Sequence, residues 1–181
     1  MKLLYIDPQS AYNLAQYDYS LLSNVDAEIT YCCSVRYDAK VIANANYRYV
    51  FSYVKYKWRV LKAFSYALSI LKVIAIVRKT CPDVIHIQWW RLWLVDYMAL
   101  CFYKKYCGCV VFTVHNVMPH DSGTHYKKKC FDYYNRVDKL IVHVNQTKEQ
   151  LVNDFFLPAE KIFVVPHGLL NNNVDDSKVN K

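Results

Sequence analysis

Glycine is scarce in this chain, with three among 181 residues, against an average use of about 7%. This scarcity excludes collagen-like and glycine-rich linker proteins. Long polar tracts are also absent from the body of the sequence, in which 54% of residues are hydrophobic and 16% are aromatic. Such a composition excludes an intrinsically disordered protein. The length predicts one domain with a core of its own.

The N-terminus lacks the apolar run of a secretory signal peptide, and the seven cysteines are an odd number. We therefore expect reduced thiols and a cytosolic protein. Neither Cys32 and Cys33 nor Cys107 and Cys109 are accompanied by a second pair of ligands at zinc-site spacing, so no metal or other cofactor is predicted. Acidic residues number 15 against 23 basic ones. The net charge of +8 predicts an anionic partner: nucleic acid, a phosphorylated substrate or an acidic membrane.

Short apolar runs alternate with longer helical patterns, which is typical of an α/β domain with helices on both faces of a parallel sheet. The predicted strands are Lys2–Ile6, Ala27–Cys33, Asp83–Gln88, Cys109–Val114, Lys139–Val144 and Lys161–Val165. The predicted helices are Ala11–Ser23, a long or broken helix from 47 to 79, Leu92–Tyr106, Tyr126–Asn135 and Lys148–Phe156. Pro82 is expected to follow the long helix, and Gly108 to cap the next one. We therefore predict one Rossmann-like domain of about six strands over residues 1–170, with a polar tail or linker over 171–181.

Polar residues follow several predicted strands. Gln9 and Ser10 follow the first, Gln88 ends the third, and His115 and Asn116 follow the fourth. Ligands of parallel α/β sheets bind beyond the carboxyl ends of the strands. His115 also opens a polar loop long enough to shape a pocket. Its imidazole is suited to hydrogen-bond a sugar hydroxyl or a phosphate, or to move a proton near neutral pH. The alternative is a histidine that only caps the strand end.

Two other histidines lie inside predicted strands. His86 stands between Ile85 and Ile87, and His143 ends a similar apolar run. Flanking residues of a strand point to the opposite face, so each imidazole is predicted to enter a helix-covered layer. We interpret both as hydrogen-bonded core histidines.

Four cations are predicted to share one face of the long helix. Arg48, Lys55, Arg59 and Lys62 fall within ~60° of one another at helical spacing, and aromatic residues border them. This pattern indicates either an anionic membrane surface or lipid-diphosphate head group, or a simple solvated face. Nucleic acid is disfavoured as a partner, because no RRM, KH, OB or helix-turn-helix signature is present.

Four segments together resemble the N-terminal half of a family 4 glycosyltransferase with the GT-B fold. They are Pro82–Trp89, Val111–His120, Val137–His143 and Pro158–Gly168. They follow the family's order across residues 81–170. Residues 1–80 match only in general layout, in the part of the family that varies with the acceptor.

The resemblance implies a domain that binds the sugar acceptor, with a second Rossmann domain for the nucleotide-sugar donor and transfer in the cleft between them. It implies a lipid-linked saccharide acceptor in surface polysaccharide synthesis, and a cytoplasmic protein peripheral on the inner face of the membrane. His115 matches the family's cleft histidine, which contacts the donor sugar near the reacting centre. Asn116 and His120 are expected to add polar contacts, and His167 and Gly168 match the loop that leads into the second domain.

The sequence departs from the family in two places. No glycine follows the first strand, where many members bring backbone close to the diphosphate or sugar. The Glu-x7-Glu carboxylates of the donor domain also have no counterpart in these residues. We therefore expect a truncated chain, or one subunit of a split enzyme whose partner supplies the donor site, that is inactive alone. The alternative is a non-catalytic membrane-surface or scaffold subunit that recruits a partner.

Overall fold

The computed structural model describes residues 1–118 and 124–166. They form a sheet of seven parallel strands in the order β3-β2-β1-β4-β5-β6-β7. The strands are β1 (Lys2–Ile6), β2 (Glu28–Ser34), β3 (Ala45–Phe51), β4 (Val84–Ile87), β5 (Cys109–Thr113), β6 (Lys139–Val142) and β7 (Ile162–Val164). The helices are α1 (Asn13–Leu22), α2 (Arg59–Thr80), α3 (Trp93–Tyr103), α4 (Thr124–Arg136) and α5 (Asn145–Phe155). The α/β Rossmann-like architecture is confirmed, with one strand more than the sequence predicts.

Both faces of the central strand are buried. Leu4 and Ile6 join the larger core cluster, whose helix residues come from α2, α3, α4 and α5. Leu3 and Tyr5 face the opposite side and join a smaller cluster with Leu22 of α1. Burial on both faces explains why these strands are continuous apolar runs rather than alternating ones.

The strand order changes direction at β1. This strand pairs with β2 on one side and with β4, which comes much later in the chain, on the other. Pairing continues past the strand ends, because the Gln88 amide donates to the Ile6 carbonyl at 3.0 Å. The residues that follow β1 and β4 therefore lie side by side at the carboxyl edge, where the change of direction opens a crevice.

The predicted helix from 47 to 79 is wrong over residues 47–58. Ala45–Phe51 is the edge strand β3, which pairs in parallel with β2, and α2 begins only at Arg59. Arg48 therefore lies in β3 and Lys55 in a short 3-10 turn, while Arg59 and Lys62 lie in the first turn of α2. The prediction that these four cations form one helix face is wrong, because a strand and a turn separate them.

The long apolar helix α2 packs one face against the core of the domain. By length and composition α2 is apolar enough to cross a membrane, but Tyr66, Ile70, Val73 and Val77 are buried in the larger core. Only 28% of the most apolar 18-residue stretch of α2 is buried, however, so much of the helix surface is exposed. The helix ends before Pro82, as predicted.

Gly108 has a different role from the predicted helix cap. The helix before it already ends at Tyr103, and no glycine in the described ranges has a positive φ. A Cβ at Gly108 would lie 3.0 Å from the Asp83 carbonyl oxygen. A side chain would therefore crowd the neighbouring backbone, and this crowding, rather than a left-handed φ, favours glycine at this position.

Candidate functional site

Four rings meet at the carboxyl edge of the sheet. His115 follows β5, His143 follows β6, Trp89 follows β4, and Tyr17 extends from α1. The ring of Trp89 is stacked on that of His115, with centroids 4.2 Å apart and planes within 7° of parallel. The centroids of the two histidine rings are 5.3 Å apart, and Tyr17 lies 5.9 Å from each. We call these four residues the histidine cluster.

Two contacts fix the ring of His115. Besides the stack with Trp89, its Nε2 lies 2.8 Å from Oε1 of Gln88. An amide oxygen only accepts hydrogen bonds, so Nε2 carries a proton and donates it. The ring is half-buried, which leaves part of it accessible to a ligand at the edge of the sheet.

Gln88 links this surface histidine to a buried polar network. Its Nε2 lies 3.0 Å from Nε2 of His86 and 3.2 Å from Oγ1 of Thr113, and these two atoms are 2.8 Å apart. Burial lowers the pKa of His86 to about 4, so its imidazole is neutral near pH 7. The prediction that His86 is a hydrogen-bonded core histidine is confirmed.

The same prediction is wrong for His143. The residue lies beyond the last residue of β6 and is half-buried rather than enclosed in a helix-covered layer. Its Nδ1 donates to the Val165 carbonyl at 2.9 Å, since a carbonyl oxygen only accepts. His143 therefore belongs to the site edge beside His115.

A pair of carboxyl groups lies beneath the loop that follows β1. Asp7 and Asp18 are both buried, and their side chains are hydrogen-bonded to each other. Asp18 also accepts from Tyr5 at 2.6 Å and from Tyr31. Burial raises the pKa of Asp18 to about 6, and burial together with the neighbouring charge of Asp18 raises that of Asp7 well above its ordinary value. Asp7 therefore holds the proton and Asp18 accepts it.

Two of the predicted substrate contacts are internal. Ser10 is fully buried, and its hydroxyl donates to the Asp7 carbonyl at 3.0 Å and accepts from the Ser34 amide at 2.7 Å. Gln88 is likewise fully buried. Neither side chain has exposed surface with which to contact a substrate, so the prediction that they bind substrate is wrong. Ser10 instead holds the loop after β1 in place, and Gln88 positions His115.

The remaining predicted residues fall into two groups. Gln9 is half-buried and lines a surface cavity, and Asn116 is exposed beside His115. His120, His167, Gly168 and the predicted tail over 171–181 lie outside the described residues. Within the described part of the chain, no group of three or more His, Cys, Asp or Glu side chains is placed to hold a metal ion.

The sequence prediction missed Tyr17, Asp18 and the position of His143. A signal for Asp18 was present, because it shares one helix face with Ala15 and Leu22, and both of these are buried. A carboxylate at such a position needs a buried partner. No comparable signal marks Tyr17, whose ring reaches His115 and His143 through tertiary contacts alone.

The fold and the position of this edge define the class: a Rossmann-like domain equivalent to one half of a GT-B structure. One structural match covers 92% of this chain and 45% of the apo form of the lipopolysaccharide outer core galactosyltransferase WaaB, with a TM-score of 0.58 at 15% identity. A second match covers 92% of this chain and 42% of a glycosyltransferase from Rickettsia africae, with a TM-score of 0.57 at 12% identity. A third covers 92% of this chain and 47% of a UDP-GlcNAc 2-epimerase from Neisseria meningitidis, with a TM-score of 0.56 at 12% identity. The model of Glycosyltransferase Family 4 matches residues 25–169, and the chain belongs to that family.

These comparisons show that the fold alone does not identify the activity. The chain spans less than half the length of each of the three structures. One of the three is an epimerase, so the shared half does not by itself define the reaction. A comparison with curated proteins finds no match.

Proposed function

We propose that this chain is the acceptor-binding half of a glycosyltransferase that moves a sugar from a nucleotide-sugar donor to a lipid-linked or polysaccharide acceptor in surface polysaccharide synthesis. A second domain or a partner subunit supplies the donor site. Family membership supports glycosyl transfer, and the match to one half of longer structures supports the division of labour.

The observation that carries this proposal is the geometry of His115. The stack on Trp89 and the bond to Gln88 fix its ring at the carboxyl edge of the sheet. An imidazole whose orientation is already fixed at this edge is placed to contact a sugar hydroxyl near the reacting centre. In the proposed enzyme, His115 contacts the donor sugar, and exposed Asn116 adds a polar contact next to it.

The test is sugar transfer by the chain assembled with its donor-binding half. Extracts of cells that express the tagged chain are used to recover that half, and transfer from a panel of nucleotide sugars to a lipid-linked acceptor is then measured. We expect His115→Ala to lower kcat by about 100-fold or more, the size of a lost preorganised contact in the transition state. Lys128→Ala, on the exposed side of α4, is the control.

Unchanged turnover in His115→Ala would refute the assigned role. If no donor-binding half is recovered and neither a sugar nucleotide nor a glycolipid binds, the enzyme proposal fails. The non-catalytic scaffold alternative then replaces it.

We also place the enzyme in the cytoplasm, peripheral on the inner face of the membrane. The support is an exposed apolar strip on α2 and α3: Trp58, Val60, Leu61, Phe64, Leu68, Leu71, Leu94 and Met98. Contiguous exposed apolar surface marks an interaction site. Lys55, Lys57 and Arg59 are exposed at the start of the strip, which suits an anionic lipid surface.

Co-sedimentation with vesicles tests this placement. Vesicles of phosphatidylcholine with phosphatidylglycerol should retain the protein better than vesicles of phosphatidylcholine alone, and added salt should weaken the retention. Phe64→Glu should release it. Phe156→Glu alters a phenylalanine outside the strip that is even more exposed than Phe64, and it should not release the protein. Equal binding to both vesicles, or equal effects of the two variants, would contradict the placement.

A further inference from the structure

A cavity of about 370 Å³ lies at the carboxyl ends of β1 and β2. Its walls come from the loop before α1, the first turn of α2 and the loop between β4 and α3. Three cationic side chains line it: Arg36, Lys62 and Arg91. No acidic residue of the described ranges is among its lining residues.

The surrounding residues hold Arg91 in place. Its guanidinium lies 4.6 Å from the centre of the Tyr53 ring, and the Tyr53 hydroxyl donates to the Pro8 carbonyl at 2.9 Å. The backbone amide of Arg91 donates to Oδ2 of buried Asp96 at 3.0 Å. The loop and the stacking ring together therefore restrict the arginine before any ligand arrives, which lowers the entropy cost of binding.

The positive charge of this cavity is not neutralised by ion pairs. The salt bridge found in the described ranges joins Lys104 and Asp138, and none involves a cavity cation. The Asp38 carboxylate accepts the backbone amide of Tyr12, a lining residue, at 2.8 Å, and it offsets only part of the charge of the three lining cations.

The N-terminal segment of α1 also lines the cavity, through Ala11, Tyr12 and Leu14. The Asp38 carboxylate already stands at the Tyr12 amide, so the positive charge of the cavity comes from its three cationic side chains.

We propose that this cavity binds the phosphate or diphosphate of a lipid-borne acceptor. The inference rests on the proposed function and specifies the acceptor class. Two arginines and a lysine around one cavity match a multiply charged oxyanion, because guanidinium groups bind phosphate oxygens in pairs. Lys62 lies in the first turn of α2, at the end of the helix where the apolar strip begins with Trp58, Val60 and Leu61, so a head group in the cavity lies close to the surface that meets the bilayer.

The position of the cavity fits a sugar carried on that phosphate. The cavity lies toward β2, and the histidine cluster lies toward β5 and β6. The adjoining ends of β1 and β4 separate the two sites. An acceptor whose phosphate occupies the cavity has its sugar directed along the edge toward His115.

Binding of farnesyl diphosphate, inorganic diphosphate and UDP to the 181-residue chain tests this inference by calorimetry. We expect farnesyl diphosphate to bind tightest, because its prenyl chain also contacts the apolar strip. Arg91→Gln and Arg36→Gln should each weaken it by about tenfold, the loss of one charge-assisted contact. Lys105→Gln, an exposed cation away from the cavity, should bind like the wild type. Thermal unfolding of each variant confirms that it is folded.

Each other outcome overturns the inference. Equal losses in Arg91→Gln and Lys105→Gln would show only general charge attraction. UDP binding tighter than farnesyl diphosphate, with the same arginine dependence, would assign the cavity to the donor instead. If none of the three probes binds measurably, the cavity does not bind an acceptor phosphate.

The same assay separates this inference from the proposed function. His115→Ala should lower kcat of the assembled enzyme by about 100-fold or more and leave probe binding intact. If the assembled enzyme transfers sugar but Arg91→Gln affects neither binding nor KM for the acceptor, the cavity inference fails and the function stands.

Discussion

Replacement of Asp7 by asparagine should make the protein more stable, and increasingly so as the pH rises. The asparagine side chain keeps the oxygen that accepts from the Gln9 amide, at 2.6 Å in the native protein, and its amide nitrogen donates to Asp18 as the protonated carboxyl does. The variant therefore preserves the hydrogen bonds of the pair. What it removes is the group that must hold a proton or ionise in a buried site.

The sign follows from the direction of the pKa shift. Burial and the charge of Asp18 raise the pKa of Asp7 in the folded state well above its ordinary value of 3.8. Between these two pKa values the native state holds a proton that the unfolded state has released, so the contribution of Asp7 to stability is lost as the pH rises. The loss is about 1.4 kcal/mol for each pH unit. Asp7→Asn has no such loss, so its advantage over the wild type grows by that amount per pH unit from about pH 4 up to the raised pKa of Asp7.

Urea unfolding of both proteins at several pH values between about 4 and 8 measures this difference. Other buried groups titrate over the same range: His86, with its pKa lowered to about 4, and Asp96, with its pKa raised to about 6, act in opposite directions. The comparison at each pH cancels them. Asp26→Asn, at an exposed position, should follow the wild type. A constant difference between Asp7→Asn and wild type, or one that shrinks with pH, would refute the shared-proton account.

Three stability predictions rest on other contacts. Tyr12→Gly should stabilise the fold by about 1 kcal/mol, because Tyr12 has φ 54° and ψ −128° and is 69% exposed; a lower Tm would contradict this. Gly108→Ala should cost about 1–2 kcal/mol, because its Cβ meets the Asp83 carbonyl, and an unchanged urea midpoint would count against that contact. Asp138 pairs with Lys104 and also accepts a backbone amide of β5 at 2.8 Å. Asp138→Ala should therefore cost about 1–3 kcal/mol and Lys104→Ala less than about 1, whereas equal losses would refute the difference.

The buried strands were predictable because each is a local apolar run, and six of the seven lie within a few residues of the predicted positions. The edge strand β3 was not predictable in this way. Its exposed residues include Arg48 and Tyr49, which also fit the spacing of a polar helix face. Pairing with β2 decides between the two structures, and that pairing depends on residues distant in sequence.

The site was predictable where a single strand end carries it. His115 follows β5 directly, so a local rule places it. The roles of Ser10 and Gln88 were not predictable, because a polar side chain after a strand serves a ligand or the protein according to its tertiary neighbours. His143 joins the cluster through the packing of β6 beside β5, a contact that the sequence does not encode locally.

The position of β1 at the centre of the sheet has a consequence for synthesis. Its partner β4 begins only at Val84, so the 22-residue α2 leaves the ribosome before the sheet that covers its buried face is complete. During that interval both sides of α2 are apolar and uncovered, and a nearby bilayer competes with the unfinished domain for it. We therefore expect changes that slow the pairing of β4 to raise the fraction of nascent chains lost to membrane insertion, even where the finished protein is equally stable.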